Sequence, residues 1–70
     1  MDDNTRQDIR RLLKTFGVKA DEALTAHLER NPQVETLRVR VTLEDLTDYG
    51  DSEPEGALEL EVEEKISGGA

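Results

Sequence analysis

The chain has no cysteine and only one histidine among its seventy residues. Disulfides are therefore excluded as a way to stabilise so short a fold, and thiolate-bound zinc and iron–sulfur clusters go with them. One histidine alone makes no transition-metal cluster, and no cofactor is expected. Long apolar runs are missing too: no stretch approaches the roughly 20 residues that span a bilayer. The opening Met1-Asp2-Asp3-Asn4-Thr5-Arg6-Gln7-Asp8 has neither the basic region nor the apolar stretch of a targeting segment, so the cytoplasm is the expected location. Positive charge is also scarce, with 9 Lys and Arg against 17 Asp and Glu for a net charge of −8. An acidic chain gains no net counterion release on a polyanion, which disfavours nucleic acid and anionic membrane surfaces as partners.

The charge is uneven. Between Met1 and Ala20, Arg6, Arg10, Arg11, Lys14 and Lys19 outnumber Asp2, Asp3 and Asp8. From Tyr49 onward, Lys65 is the only base among Asp51, Glu53, Glu55, Glu59, Glu61, Glu63 and Glu64. A chain of this size buries only about 60% of the surface it exposes unfolded, so its core is thin. With disulfides and metals excluded, self-association is the remaining remedy.

Ile9, Leu12, Leu13 and Phe16 recur at i, i+3, i+4 and i+7, the apolar stripe of an amphipathic helix. Asn4 or Thr5 is the expected N-cap, with Asp2, Asp3 and Asp8 where the helix dipole favours negative charge. Gly17 suits the left-handed position just past the end, with Val18 folding back on Leu13. A second, shorter helix carries Ala20, Ala23, Leu24, His27 and Leu28 on one side, begins near Asp21 and stops at Asn31-Pro32.

Two strands follow. Leu37, Val39, Val41 and Leu43 alternate with Arg38, Arg40, Thr42 and Glu44; Leu58, Leu60 and Val62 alternate with Glu59, Glu61 and Glu63. With a polar loop from Asp45 to Gly56 between them they read as an antiparallel hairpin. Pairing Val41 with Leu60 and Leu43 with Leu58 sets Arg40 against Glu61 and Arg38 against Glu63, favourable pairs of about 0.2–1 kcal/mol each. A slip by two would set Arg38 against Lys65.

The expected fold is α+β, α-α-β-β: two helices packed on a two-stranded hairpin, extended in a dimer to a four-stranded sheet. It occupies residues 1–66 as a single domain, with 67–70 a flexible tail. The expected core is Ile9, Leu12, Leu13, Phe16, Val18, Leu24, Leu28, Leu37, Val39, Val41, Leu43, Leu58, Leu60 and Val62.

No catalytic constellation emerges, and the chain is not expected to be an enzyme. His27 has no nucleophile or orienting carboxylate assigned by pattern, so it reads as a helix-face residue at the core margin. Glu44, Asp45, Asp48, Asp51, Glu53 and Glu55 do not have the ligand spacing of an EF-hand loop and read as a solvated surface with no metal. Glu59, Glu61 and Glu63 point to one face of a narrow hairpin, where they protect an open edge from aggregation. Arg6, Arg10 and Lys14, at i, i+4 and i+8, with Arg11 beside them, form a basic strip that can meet a partner. No aromatic residues accompany it for stacking on bases.

The segment Ile9-Arg10-Arg11-Leu12-Leu13-Lys14-Thr15-Phe16-Gly17-Val18, with Leu37-Arg38-Val39-Arg40-Val41-Thr42-Leu43 and Gly56-Ala57-Leu58-Glu59-Leu60 after it, resembles a family of short bacterial proteins of unknown function. That resemblance implies a bacterial origin, two helices joined at a Gly-Val junction and a closing hairpin, and it supplies no activity. Family members often carry serine or threonine where this chain has Lys19-Ala20 at the start of the second helix. The functional reading is a noncatalytic protein-interaction module with an unidentified protein partner or a weak homodimer through Leu37 to Leu43; the alternative is a nucleic-acid or regulator-type binder using the basic helix.

Overall fold

A computed structural model describes residues 2–69 and has the α+β class expected: one helix, α1 (Asp3–Arg30), then strands β1 (Thr36–Glu44) and β2 (Glu59–Ser67) in an antiparallel hairpin. It divides into two units, the helical segment to Val34 and the hairpin segment Glu35–Ser67. Of the expected tail, Ser67 still belongs to β2, and Ala70 lies outside the described residues.

The two expected helices are one. Gly17 sits inside α1, and the positive-φ glycines among the described residues are Gly50 and Gly56, so no left-handed residue breaks the helix there. The reason lies in the phase of the sequence. Leu13, Ala20 and His27 are seven residues apart, as are Phe16 and Ala23, so the second stripe continues the first around the same helix face. A glycine in a helix interior costs about 1 kcal/mol relative to alanine. The good helix formers on either side, Leu12, Leu13 and Lys14 before it and Lys19, Ala20, Glu22, Ala23 and Leu24 after it, offset that cost. At about 1.5 Å rise per residue, the 28 residues form a rod about 42 Å long, well beyond the length at which isolated helices become marginal.

The N-cap is Asp2 rather than Asn4 or Thr5. Its backbone is extended (φ −83°, ψ 171°), and its Oδ1 accepts the Thr5 backbone N–H at 2.9 Å and the Thr5 hydroxyl at 3.0 Å. The two Thr5 hydrogen bonds favour the ionised form and hold the Asp2 carboxyl below its ordinary 3.8. At the other end the helix stops where the sequence indicates. The Asn31 backbone N–H donates to the His27 carbonyl at 3.0 Å, and Asn31 Nδ2 donates to the same oxygen at 2.8 Å. A turn from Asn31 to Val34, closed by the Val34 N–H to the Asn31 carbonyl at 3.1 Å, leads toward β1. Pro32 occupies the turn position that its fixed φ suits.

The hairpin register differs by two residues from the expected one. Leu37 faces Ile66, Val41 faces Val62 and Leu43 faces Leu60, while Leu58 lies outside the ladder. Ile66 takes the place that Leu58 would have held, and a β-branched side chain suits a strand better than leucine. In the expected register Leu37 would face Glu64 and Ile66 would fall beyond the paired strand. The exchange has an electrostatic cost. Arg40 meets Glu63, with Nη2 at 2.6 Å and Nε at 2.8 Å from Oε1, but Arg38 faces Lys65 and Glu44 faces Glu59. Exposed charge pairs are worth too little to set the register against the apolar positions.

None of the described residues is buried, so the expected fourteen-residue core is absent as a buried set. Taken by itself, a lone helix has no second surface to bury its stripe against. A two-stranded hairpin by itself is marginal at best in water.

Candidate functional site

Arg6, Arg10, Arg11 and Lys14 all lie on α1 and are exposed. At about 100° of rotation per residue, the i, i+4, i+8 spacing advances about 40° at each step, so Arg6 borders the apolar stripe and Lys14 lies well round from it. Arg11 pairs with Asp8 one turn earlier, Nη1 to Oδ1 at 3.3 Å, both side chains in solvent. Arg6, Arg10 and Lys14 make no ion pair among the described residues. The strip thus places one cation, Arg6, at the border of the apolar stripe and carries Arg10 and Lys14 progressively away from it, a surface suited to an amphipathic partner with an acidic margin on that side.

On the hairpin, Arg38, Val39, Arg40, Glu63, Glu64 and Lys65 line an open depression of about 610 Å³. Its walls are charged and open to water, so it lacks the apolar enclosure that usually holds a small ligand. Glu64 faces Val39, which places a carboxylate among the hairpin's apolar positions. The sequence pattern obscures this residue because Glu64 breaks the alternation of Leu58, Leu60 and Val62; Ile66, two positions further on, is the signal that the strand continues through it.

The acidic loop uses several of its oxygens to order its own backbone. Asp45 Oδ1 accepts the Thr47 N–H at 2.9 Å, and Oδ2 accepts the Tyr49 hydroxyl. Asp48 Oδ1 accepts the Gly50 N–H at 2.8 Å. Gly50 has φ 65°, a conformation that glycine adopts without the penalty of a Cβ, and the Ser52 N–H closes the turn on the Tyr49 carbonyl at 3.1 Å. The Tyr49 hydrogen bond, with those of Thr47, lowers the Asp45 carboxyl below its usual range. The same Asp45 contact raises the Tyr49 phenol above its ordinary 10.0, because it binds the protonated form. Aspartates at the first position of such turns are common for this local role. Among the described residues no group of three or more His, Asp or Glu is arranged to hold a metal ion.

His27 lies in the last turn of α1, where its carbonyl receives both Asn31 hydrogen bonds. No helix among the described residues is long and apolar enough to cross a membrane. The chain matches no protein family, and neither curated proteins nor solved structures gave a match in comparison with it.

Proposed function

We propose that this protein is a small noncatalytic protein-interaction module. The observation that carries the reading is the apolar stripe of α1, where Ile9, Leu12, Leu13 and Phe16 are 45, 55, 61 and 47% exposed. Leucine and phenylalanine gain roughly 1.5–3 kcal/mol each on full burial, so such a stripe favours a covering surface of complementary shape. Arg6 at the border of the stripe, with Arg10 and Lys14 further round, none of them in an ion pair among the described residues, would give that contact orientation and speed its formation. The hairpin adds an apolar face and an outer edge on β1 that is unpaired among the described residues, through which a second copy is the expected weak partner.

The test is capture from cells of the source organism with two baits, the wild-type chain and the Leu13→Glu/Phe16→Glu variant. Both substitutions fall on exposed positions of the helix, and circular dichroism checks that the variant remains helical. A protein retained by the wild type and lost by the variant supports the module. Nucleic acid retained by both baits, with steep loss of binding as salt rises, would instead favour a binder that uses the basic strip.

A further inference from the structure

We propose that a second copy of this chain pairs with β1 along its outer edge, antiparallel and two-fold symmetric about Val41. This rests on the reading of the protein as an interaction module and names one of its partners. Inside the hairpin, Arg38 faces Lys65 and Glu44 faces Glu59, so two charged positions of β1 stand opposite charge of their own sign. β1 pairs on one side only among the described residues. With Val41 set against the partner's Val41, Arg38 stands opposite Glu44 of the other copy, and Glu44 opposite its Arg38. Both like-charge mismatches then gain an opposite charge on their second side, and the two-fold axis makes the gain twice.

The neighbouring registers fail. Centring on Arg40 opposes the two Arg40 side chains, and centring on Val39 sets Arg38 against Arg40. Centring on Thr42 sets Arg40 against Glu44, but it faces Arg38 with Leu46 beyond the strand, so the Arg38–Lys65 mismatch gains no opposite charge. β2 is no substitute: every two-fold register centred between Leu60 and Glu64 sets one glutamate directly against another. Self-association through β1 is therefore selected by a charge pattern that the hairpin by itself leaves mismatched.

The same geometry separates effects on association from effects on folding. Arg38→Glu places an acid opposite Lys65 and Glu44→Arg places a base opposite Glu59, so each single variant improves the hairpin while opposing like charges across the dimer. The double variant Arg38→Glu/Glu44→Arg restores opposite charges across the dimer with inverted sense. Sedimentation equilibrium over a wide concentration range, with circular dichroism of each variant, reads the result. A wild-type dimer should weaken by about tenfold or more in each single variant and return to within about threefold in the double. A wild type that stays monomeric to millimolar concentration overturns the proposal, as do single variants that associate like the wild type or lose their hairpin signal. None of these outcomes decides the module reading, which depends on the helix-stripe capture.

Discussion

Replacing Gly17 by alanine should strengthen the helix, and the sign of the effect decides between one helix and two. Gly17 lies within α1, and a Cβ built on it would meet nothing within 4 Å. No steric cost therefore opposes the gain in helix propensity, which is about 0.8–1 kcal/mol for Gly to Ala in a helix interior. Were Gly17 a left-handed residue ending a first helix, the new Cβ would cost about 1–2 kcal/mol. The two readings thus have opposite signs and differ by about 2–3 kcal/mol. Far-UV circular dichroism at low protein concentration, recorded as a function of temperature, is the assay. Higher ellipticity at 222 nm and a later helix melt are expected for Gly17→Ala. Lower helicity, or fraying confined to residues after position 17 in amide exchange, would refute the continuous helix.

Asp2 is an N-cap whose carboxyl is held below 3.8, so its contribution is present above that value and is lost as pH falls through the depressed folded value. Amide exchange at Thr5 should therefore accelerate on acidification below pH 3.8, while Asp2→Asn, which keeps an acceptor that does not titrate, should abolish that step. Tyr49 is the only tyrosine, and its absorbance titration should have a midpoint above 10.0 that returns toward the ordinary value in Asp45→Ala; an unchanged midpoint would remove the Asp45 contact from the account. Stability from that contact is present below pH 10.0 and lost as pH rises through the raised Tyr49 value. Phe16→Ala should cost the isolated chain much less than the about 3–5 kcal/mol of a core phenylalanine truncation, because Phe16 is not buried; denaturant titration at low concentration measures it, and a loss of full core size would mean that Phe16 is packed.

The class of fold was legible because two periodicities, helical before Pro32 and alternating after it, are strong along the chain. The helix count was misread at Gly17-Val18. Glycine after an apolar stripe is a good stop signal, but the phase from Phe16 to Ala20 and Ala23 carries the stripe through it, and phase is the better guide when flanking propensity is high. Asp2 caps the helix in place of Asn4 or Thr5 because it stands three residues before Thr5, the spacing at which a capping oxygen reaches the N3 amide. The register was misread by giving weight to Arg38 and Arg40 opposite Glu63 and Glu61. Weak surface pairs yield to Ile66, which stands in phase with Leu60 and Val62 and faces Leu37. Of the candidate site, the basic strip was visible as spacing alone. The mismatched charges on β1 could not be seen before the register was known, because they are a property of pairing and not of either strand.

Thermal melting across about a hundredfold range of protein concentration is the most direct test of the central claim, that the folded chain is completed by association with a second copy. Because a ligand that binds only the folded form raises its stability by mass action, the melting temperature should climb steadily with concentration, and less so in Arg38→Glu. A melting temperature that stays constant across that range in the wild type would contradict the claim.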